Sequence, residues 1–505
     1  MVKSLINNYK DVARQGADKG GTSVEKDIEF VKEIASKEKN FPQWYVDVVR
    51  KAELADYTTI KGCMVIRPYG YGLWENMQAG LDRRIKETGH KNAYFPLFIP
   101  ESLLKKEAEH VEGFAPEVAW VTHGGSQKLE ERLAVRPTSE AVICSLYSKW
   151  VKSWRDLPIL LNQWVNIVRW EKVTRLFLRT TEFLWQEGHT AHKSEQEAEK
   201  ETLKILHQVY RDYIEKDLAI PVIVGRKTEK EKFAGALHTY TLEALMADGK
   251  VLQAGTSHNL GQNFAKAFNI KFLDEDQKEK YVWQTSWGTT TRLIGALVMV
   301  HGDERGLKLP PKVAPVQIII VPIMFDKTKK EVLEKAESIC TILKKDFRVE
   351  IDTRDGYTPG WKFNEWEMRG VPLRLEIGPK DMAQGQVMLA RRDTREKMAV
   401  KEEKLAETVK ELLDNIQENL FTRAKKFLEE NIRETSDYNE FKKIIEKQRG
   451  LIKTYWCGSK DCEEKIKEET KASIRCIPFE QEKASGKCIY CGKESSTLVY
   501  FARAY

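Results

Sequence analysis

The chain has 505 residues, a mass of 58.4 kDa and a formal net charge of +7, and 41% of its residues are hydrophobic. This length suits about three domains with sizeable cores, and the small positive excess is compatible with RNA binding without requiring it. The first residues, MVKSLINNYKDV, lack an apolar signal region, and the longest apolar run, near residues 316–325, is too short to cross a bilayer, so we expect a soluble protein of the cytoplasm.

Residues 1 to about 55 are predicted to be mixed and helical, and they end in WYVDVVRKAELAD, whose apolar spacing suits one amphipathic helix. Leu73, Met77, Leu81 and Ile85 recur every four positions, which indicates one long helix with an apolar face. The segment AYFPLFIP follows Gly89 and ends at Pro100, as an edge strand would. An ordinary core helix followed by an edge strand would show the same pattern.

A loop rich in glycine and proline, EGFAPEVAWVTHGG, is predicted at residues 112–125 and leads into RPTSE, predicted as a strand at residues 136–140. The segment NIVRWEKVTRLFLRTTEFLWQEGHT, at residues 166–190, is predicted to form two strands around a basic loop, because IVRW and EFLWQ are β-branched or aromatic. Arg169 offers the paired donors that suit a phosphate and a carboxylate, and Glu171 points to the same strand face. This pattern predicts a nucleotide site, although an Arg-x-Glu pair alone would more simply be a surface ion pair.

Two later segments extend the pattern. VLQAGTSHNLGQNFAKAF, at residues 251–268, contains Gln253, Thr256 and His258, and by itself His258 would be interpreted as a polar group of the core. WGTTTRLIGALVMVHGD, at residues 287–303, places Thr290 and Arg292 at the start of an apolar helix, where anions are favoured. Between these motifs, residues 191–218 are predicted to form a charged amphipathic helix and AIPVIVG a buried strand.

Strands and helices alternate after Ala314. VQIIIVPI, FRVEID, PLRLEIGP and QVMLARRD are predicted strands separated by helical stretches, which indicates a small α/β domain.

Five of the eight cysteines lie in the last fifty residues. Two close pairs among them, C-x4-C and C-x2-C, have the spacing of a tetrahedral thiolate site, for which zinc is the natural ion. The four predicted ligands are Cys457, Cys462, Cys488 and Cys491. A structural role is expected because four thiolates leave no open position, and Cys476 is left out because it has no near partner.

Taken in order, these segments resemble the motifs of class II aminoacyl-tRNA synthetases, and TEFLWQEGHT with RPTSE resembles the prolyl-tRNA synthetases in particular. Motif 1 corresponds to about residues 71–100, motif 2 to about 166–187 and motif 3 to about 287–303. The resemblance implies an α+β catalytic domain at residues 1–312, with an antiparallel sheet flanked by helices. It further implies an α/β anticodon-binding domain at 313–418 and a small α+β zinc-binding domain at 419–505.

The resemblance also implies a reaction and its site residues. L-proline would be activated by ATP with Mg²⁺ to prolyl adenylate and transferred to the 3′ end of tRNA(Pro), by a homodimer formed through motif 1. Residues matching the proline site are Phe114, Glu117, Thr138, Glu140, Arg169, Trp185 and His258. Residues matching the ATP site are Arg169, Glu171, Arg179, Thr180, Gln253, Thr256, Thr290 and Arg292, with Gln253 also meeting Mg²⁺. Arg169 and Arg292 would be catalytic, Glu187 belongs to the site without an assigned role, and Phe363, Glu367 and Lys380 match positions near the anticodon.

Three finer expectations follow from the resemblance. A zinc-bearing tail is found in the archaeal and eukaryotic branch, whereas bacterial members tend to carry an editing insertion between motifs 2 and 3. Residues 187–287 leave no room for that insertion, so we expect no hydrolysis of Ala-tRNA in cis. The ending FARAY resembles the same branch, in which the terminal carboxylate of the last tyrosine, here Tyr505, returns toward the active site. The motif 2 loop EKVTRLFLR departs from many relatives because it lacks a proline-rich turn.

Two other interpretations were weighed. A threonyl-tRNA synthetase would need a catalytic zinc bound by a cysteine and histidines, and no cysteine lies between Cys144 and Cys340. A catalytically silent paralogue that binds tRNA would usually lose a motif arginine, and this chain keeps both. The sequence does not bear on membership of a larger multi-synthetase complex.

Overall fold

The computed structural model of the chain describes residues 34–110, 117–481 and 485–505. Within these ranges no helix combines the length and the apolar character needed to cross a lipid bilayer. The described chain forms three consecutive parts, and two of them share one large sheet.

The first part contains fourteen strands and eight α-helices among the described residues. The strands are β1 (Ala55–Tyr57), β2 (Met64–Ile66), β3 (Lys91–Asn92), β4 (Phe98–Pro100), β5 (Trp120–Gly124), β6 (Gln127–Val135), β7 (Ile159–Val168), β8 (Glu182–His192), β9 (Val222–Arg226), β10 (His238–Leu245), β11 (Val251–Gly261), β12 (Lys271–Leu273), β13 (Glu279–Tyr281) and β14 (Trp283–Thr290). The helices are α1 (Phe41–Lys51), α2 (Pro68–Glu87), α3 (Glu101–His110), α4 (Glu140–Trp150), α5 (Glu195–Lys204), α6 (Asp212–Lys216), α7 (Asn263–Phe268) and α8 (Arg292–His301). A π-helical segment, Ile205–Arg211, joins α5 to α6.

An antiparallel sheet is the centre of this part, as the fold prediction requires. Its strands lie in the order β9-β10-β11-β14-β8-β7, and β3 is added in parallel at the β7 edge. The predicted motif 2 hairpin is confirmed, because β7 pairs with β8 from Ile159 opposite Ala191 to Val168 opposite Glu182. Three strands of the sheet, β8, β14 and β11, are adjacent and carry many of the residues that the sequence predicts for the site.

Helices α1, α2 and α8 cover one face of this sheet and bury a common apolar core. The period of four in α2 is confirmed, since Leu73, Met77, Leu81 and Ile85 are all buried there. Fully burying an aliphatic side chain of this kind contributes about 1.5–3 kcal/mol. This core fixes α8 against the sheet and thereby fixes the position of its first residue, Arg292.

The segment before the central hairpin differs from the prediction. The segment 112–125, predicted as a loop, contains strand β5, which pairs with β6. The strand predicted at residues 136–140 is absent, since β6 ends at Val135 and α4 begins at Glu140. Pro137 has no N–H for a ladder, which is a physical reason for the strand to end there. The guanidinium of Arg136 is buried and donates to the carbonyl oxygens of Phe95 at 2.8 Å and Asn166 at 3.1 Å, which holds this turn against the hairpin.

The second part is the predicted α/β domain. Its strands are β15 (Ile318–Pro322), β16 (Val349–Ile351), β17 (Leu373–Ile377), β18 (Gln386–Arg391) and β19 (Lys397–Lys401), and its helices are α9 (Lys329–Leu343), α10 (Pro359–Met368), α11 (Pro379–Ala383) and α12 (Leu405–Glu430). The four predicted strands are confirmed, and the sheet order is β16-β15-β17-β18-β19. Helix α12 runs through position 418, so the predicted boundary there falls inside a helix and remains a prediction.

The third part adds the strands β20 (Ile432–Glu434), β21 (Leu451–Tyr455), β22 (Ser473–Pro478), β23 (Gly486–Lys487), β24 (Glu494–Ser495) and β25 (Leu498–Ala502), with helices α13 (Tyr438–Lys443) and α14 (Lys460–Thr470). Strand β22 pairs with β9, which extends the catalytic sheet to eleven strands. A Cβ on Gly225 would lie 2.4 Å from the carbonyl oxygen of Ile477, so this pairing needs a glycine. The tail is therefore built into the catalytic sheet, which the sequence did not indicate.

Candidate active site

A cleft of about 270 Å³ lies over β8, β14 and β11. Its walls bring together the following predicted residues: Thr138, Glu140, Arg169, Glu171, Arg179, Thr180, Trp185, Glu187, Gln253, Thr256, His258, Thr290 and Arg292. Glu117 is exposed and does not line the cleft, although its carbonyl oxygen accepts a hydrogen bond from the Trp170 N–H at 3.1 Å. Phe114 lies outside the described residues.

Strand register explains why these side chains meet. Alternate residues of a strand share one face, and in β8 these are Trp185, Glu187 and His189. Glu187 is opposite Gly288, which is opposite Thr256, and these three form one row across the cleft floor. The next row continues from His189 through Ser286 to His258 and Thr239, and Trp185 lies opposite Thr290. The cleft thus has a direction, from the arginine-rich end to the His258 end.

Two arginines converge at one end of the cleft. Arg169 donates through Nε to the carbonyl oxygen of Pro137 at 3.0 Å, and its guanidinium carbon lies 5.4 Å from the ring centre of Trp185. Arg292 donates through Nε to the carbonyl oxygen of Leu178 at 3.1 Å. Among the described residues neither arginine forms an ion pair with a carboxylate. Each guanidinium therefore keeps donors free for an anion.

Electrostatics agree with this geometry. Burial, together with repulsion from Arg169 and Arg179, lowers the pKa of Arg292 to about 10. Groups of like charge held together are costly unless an anion joins them. Arg292 is also the first residue of α8, where the helix dipole favours negative charge. This end of the cleft suits a polyphosphate.

Glu171 pairs with Arg179, and their Oε2 and Nε atoms are 2.7 Å apart. The simpler interpretation of the sequence, an ion pair between Arg169 and Glu171, does not occur in the structure. Arg169 is left facing the cleft as a result.

Two further carboxylates, Glu140 and Glu187, line the cleft near Arg169, and their charges raise the pKa of Arg169 against the effect of burial. Glu140 accepts a hydrogen bond from the hydroxyl of Thr138. Glu187 accepts hydrogen bonds from Ser139 and Gln163, and its Oε2 lies 3.0 Å from His189 Nε2. Burial raises the pKa of Glu187 by itself, but the hydrogen bonds and the charge of His189 outweigh it and lower this pKa. Burial by itself lowers the pKa of His189, but the hydrogen bond and the charge of Glu187 outweigh burial and raise this pKa. The two side chains therefore form a buried ion pair.

His258 is both a buried polar group and part of the cleft wall. Its Nδ1 lies 2.9 Å from Thr239 Oγ1, and its ring centre is 4.8 Å from that of Phe233. Burial, with repulsion from His189, lowers the pKa of His258 to about 3, so the ring is neutral near pH 7. A neutral imidazole and an indole form a flat, uncharged wall for a small ring.

Four buried polar atoms of the cleft wall have no hydrogen-bond partner among the described residues: Thr180 Oγ1, Trp185 Nε1, Ser286 Oγ and Trp287 Nε1. An unpaired buried polar group costs about 1–3 kcal/mol. Such atoms suit a site that is completed by a polar ligand.

Sequence reasoning missed several residues of the wall. The cleft is also lined by His189, Ser286, Gly288, Thr239, Glu231, Lys232 and Phe233. The period of two from Trp185 and Glu187 could have identified His189, and the same period in β14 could have identified Ser286 and Gly288. The segment with Phe233 is a charged loop that carries no such signal.

The predicted metal centre is compact. The ligand atoms of Cys457, Cys462, Cys488 and Cys491 all lie within 4.8 Å of one another, and Cys476 lies outside the group on β22. The Sγ atom of Cys457 is 3.7 Å from those of Cys462 and Cys491. Zinc–sulfur bonds of about 2.3 Å in a tetrahedron separate the sulfurs by about 3.8 Å, whereas a disulfide needs about 2.05 Å. The four side chains fit one tetrahedral zinc ion.

A second, basic cleft of about 170 Å³ lies in the second part, and Arg305 of the preceding segment completes its wall. The other lining residues with polar or aromatic side chains are Trp366, Glu367, Arg374, Arg391, Arg392, Arg395 and Lys397, and three apolar residues lie between them. Phe363 adjoins it, since the guanidinium carbon of Arg374 lies 4.0 Å from its ring centre. Lys380 is exposed on α11 and does not line this cleft.

The end of the chain lies near the active-site strand β11. The N–H of Tyr505 donates to the carbonyl oxygen of Val251 at 3.1 Å, two residues before Gln253, and Lys250 Nζ lies 4.7 Å from the tyrosine ring centre. Tyr505 itself does not line the 270 Å³ cleft. The position of its carboxylate relative to a substrate remains a prediction.

Comparison with known proteins agrees with this architecture. The sequence matches three family profiles: "tRNA synthetase class II core domain (G, H, P, S and T)" at residues 120–301, "Anticodon binding domain" at 317–412 and "Prolyl-tRNA synthetase, C-terminal" at 438–505. It is 62% identical over 479 residues to a Proline--tRNA ligase of Natranaerobius thermophilus, which covers 94% of this chain and 99% of the relative. A Proline--tRNA ligase of Alkaliphilus oremlandii is 58% identical, with 95% and 99% covered, and a Proline--tRNA ligase 2 of Clostridioides difficile is 58% identical, with 94% and 99% covered.

These organisms are bacteria, so this architecture is not confined to the archaeal and eukaryotic branch with which the sequence analysis associates it. The three matched profiles follow one another along the chain in the order of its three structural parts. The chain therefore belongs to the prolyl-tRNA synthetase family.

Proposed function

We propose that this chain is a proline--tRNA ligase, which activates L-proline with ATP and transfers the prolyl group to the 3′ end of tRNA(Pro). The observation that carries the proposal is a single cleft lined by two arginines without ion-pair partners, a carboxylate, an indole and a neutral histidine, with Arg292 at one end and His258 at the other. A triphosphate and a small zwitterionic amino acid would meet between these ends.

In the first step, a carboxylate oxygen of proline attacks the α-phosphorus of ATP, the bond between that phosphorus and the α,β-bridging oxygen breaks, and the β- and γ-phosphates leave as pyrophosphate. The proline carboxylate is already ionised at neutral pH, so no protein base or nucleophile is needed. Arg169 would neutralise the α-phosphate and orient the attacking carboxylate, and Arg292 would hold the leaving pyrophosphate. Glu171, Arg179 and Thr180 would position the adenosine. In the second step the terminal ribose hydroxyl of the tRNA attacks the prolyl carbonyl and releases AMP.

Magnesium fits the nucleotide end. The Gln253 amide lines the cleft and has no hydrogen-bond partner among the described residues, and a neutral amide oxygen is a ligand that Mg²⁺ accepts. Gln253, with Thr256 and Thr290 nearby, would hold the ion, which would neutralise charge on the pyrophosphate. Arg169 and Arg292 would supply the remaining positive charge around the phosphates.

The proline end would bind the substrate amine and ring separately. A protonated secondary amine has two N–H donors, and Thr138 and Glu140 offer oxygen acceptors for both. Trp185 and His258 would cover the ring, and Glu117 and Phe114 remain proposed from the resemblance alone.

Such a pocket rejects alanine weakly, because a smaller side chain still fits. Residues 187–287 form sheet strands and helices of the catalytic part, so we propose that the chain lacks editing in cis, and deacylation of Ala-tRNA by the pure chain would refute this.

We propose that the basic cleft of the second part binds the anticodon of tRNA(Pro). Arginines and lysines suit its phosphates, and Phe363 and Trp366 offer faces on which bases can stack. Glu367 would read a base edge, and Lys380, placed away from the cleft, would contact the backbone at most.

We also propose a structural zinc ion on the four cysteines and a homodimer. Zinc would hold the start of α14 to the turn at Cys488, and one equivalent of zinc per chain is the expected content.

Large apolar side chains near motif 1, including Tyr57, Ile60 and Phe98, are exposed on the single chain, as at an interface. Sedimentation should give twice the chain mass of 58.4 kDa, and a monomer mass would contradict the dimer.

Exchange of labelled pyrophosphate into ATP tests the activation step. Proline, alanine, cysteine and threonine are compared with the wild-type chain and with Arg169→Ala. We expect proline to give by far the highest kcat/KM, and Arg169→Ala to lose at least about a hundredfold, as when one donor to a developing charge is removed.

Either of two outcomes would contradict the proposal. Threonine-dependent exchange would support the threonyl alternative, and no exchange with any amino acid, in a folded and zinc-loaded chain, would support a silent tRNA-binding paralogue. Arg132→Ala is the matched control, because Arg132 pairs with Glu101 at the surface and lies outside the cleft.

A further inference from the structure

The loop at residues 227–237 forms one wall of the active-site cleft. It joins β9 to β10, and Glu231, Lys232 and Phe233 line the cleft. The Phe233 N–H donates to Thr239 Oγ1 at 2.9 Å, and the same oxygen lies 2.9 Å from His258 Nδ1. The position of this loop therefore sets the position of the His258 end of the cleft.

The metal-binding tail holds this loop from outside. Helix α14 contains the ligand Cys462, and the next residue, Glu463, accepts a hydrogen bond through Oε1 from Thr228 Oγ1 at 2.9 Å. Both side chains are buried. Lys230 pairs with Glu464 at 2.8 Å on one side of this contact. Residues more than 230 positions apart in sequence are thus joined at the loop.

A third pair, Lys467 with Glu231 at 2.9 Å, reaches a residue of the cleft wall itself. Exposed ion pairs contribute about 0–1 kcal/mol each, whereas a buried polar group left without its partner costs about 1–3 kcal/mol. The buried contact between Thr228 and Glu463 is therefore the one that decides how firmly the loop is held.

The start of the loop has a second anchor. Lys227 Nζ lies 2.7 Å from Glu243 Oε1 and donates to the carbonyl oxygen of Arg475 at 2.8 Å. Arg475 in turn donates to Glu243 through Nε at 3.0 Å and Nη2 at 2.9 Å. All three side chains are buried, so the first residue of the loop stays fixed when a contact further along is removed. Changing Thr228 should release the loop without detaching the tail.

We propose that Thr228 and Glu463 are positioning residues for proline binding, through which the metal-bearing helix α14 holds the 227–237 loop and Phe233 against His258. The inference rests on the proposed function, because it assigns the His258 end to proline. Arg169, Arg179 and Arg292 of the nucleotide end have their hydrogen-bond partners outside the 227–237 loop, so the effect should fall on proline. Zinc on the four thiolates would hold Cys462 and, with it, the adjacent Glu463.

Two substitutions at one position separate the hydrogen bond from the shape of the side chain. Thr228→Val keeps the volume but removes the hydroxyl, and with it both the bond to Glu463 and the bond that Thr228 Oγ1 accepts from the Glu231 N–H at 3.3 Å, whereas Thr228→Ser keeps both. In pyrophosphate exchange we expect Thr228→Val to raise KM for proline about tenfold, with KM for ATP and kcat within about twofold of wild type. Thr228→Ser should restore the wild-type value. Glu468→Ala, an exposed residue of the same helix, is the control and should change nothing.

Amide hydrogen exchange on the full chain provides a readout that does not depend on catalysis. The peptide containing Phe233 should exchange faster in Thr228→Val, and also in the wild-type chain after zinc is removed with a chelator. The proposal is overturned if a folded Thr228→Val variant keeps the wild-type rate of amide hydrogen exchange at Phe233. It is also overturned if the KM for proline and the KM for ATP both rise while kcat falls. Absence of proline-dependent activity in the wild-type chain would instead refute the proposed function, and the hydrogen-exchange comparison would still decide whether the tail holds the loop.

Discussion

At the scale of single residues, the two carboxylates at the proline end have different partners. Glu187 is neutralised by His189, and it is further fixed by Ser139 and Gln163. Glu140 has a hydroxyl partner, Thr138, and forms no ion pair among the described residues. One carboxylate therefore remains available for a cationic amine, while the other supports the floor of the cleft. This difference explains how Glu187 can belong to the site without touching the reacting atoms.

The ion pair predicts a pH-dependent stability. The folded-state pKa of His189 is raised above 6.5, so its contribution is complete below pH 6.5 and is lost as pH rises through that folded-state pKa. The pKa of Glu187 is lowered below 4.5, so its contribution is present above pH 4.5 and is lost as pH falls. The pair should stabilise the fold most between these values. His189→Gln should cost about 3 kcal/mol of unfolding free energy near pH 5.5 and clearly less at pH 9.

Urea unfolding at both pH values measures this difference. Glu187→Gln and the double variant complete the cycle, and the coupling between the two sites should decline toward pH 9. A cost of His189→Gln that stays constant from pH 5.5 to pH 9 would show that His189 is not charged in the folded chain.

At the scale of elements, close packing of β8 on β14 fixes the cleft floor. A Cβ on Gly188 would lie 2.0 Å from a ring carbon of Trp287, which is buried and fills the space beside this glycine. The ring cannot move away without disturbing the core that it shares with Tyr210 and His90. The absence of a side chain at Gly188 therefore leaves room for the Trp287 ring against the strand that carries Glu187.

Gly188→Ala should lower the unfolding free energy by about 3 kcal/mol, at the upper end for overpacking of a core. Gly72→Ala is the matched control, since a Cβ there would meet only Pro315 at an ordinary 3.6 Å and position 72 lies inside helix α2. Alanine in a helix is favoured over glycine by about 1 kcal/mol, so this control should be neutral or stabilising. Equal stability of the two variants in urea unfolding would contradict the assigned packing.

Elements with a regular pattern could be predicted from the sequence. The apolar period of α2, the β-branched and aromatic strands of the motif 2 hairpin and the alternating second part depend on neighbours in sequence. The π-helical segment at Ile205–Arg211 and the pairing of β22 with β9 depend on packing between distant segments. Phe233 was missed for the same reason, because the charged loop around it acquires its position from Glu463 in the tail.

At the scale of the whole molecule, Asp303 joins the active-site helix to the basic cleft. It follows α8 directly, and it accepts hydrogen bonds from Arg392 Nη1 at 3.0 Å and Nη2 at 2.6 Å. Lys308 Nζ lies 3.0 Å from the same carboxylate. Burial alone would raise the pKa of Asp303, but Arg392 and Lys308 hold it far below its usual range. The carboxylate is thus charged near neutral pH and ties the anticodon-binding part to the catalytic part.

Asp303→Asn should weaken this connection, since it keeps the shape of the side chain but leaves Arg392, Lys308 and Arg395 without their counter-charge. Removing one partner of a buried charge network costs about 3 kcal/mol, which lowers the unfolding free energy and weakens the docking of the second part. We expect kcat/KM for tRNA charging to fall about tenfold, equivalent to about 1.4 kcal/mol, while proline-dependent pyrophosphate exchange stays within about twofold. Asp414→Asn, which removes an exposed carboxylate paired with Lys410 on α12, is the acid-to-amide control and should leave both reactions unchanged. If Asp303→Asn lowered pyrophosphate exchange and tRNA charging equally, its effect would lie at Arg292 and the active site. The ion pairs of Asp303 would then have no separate role in presenting the tRNA.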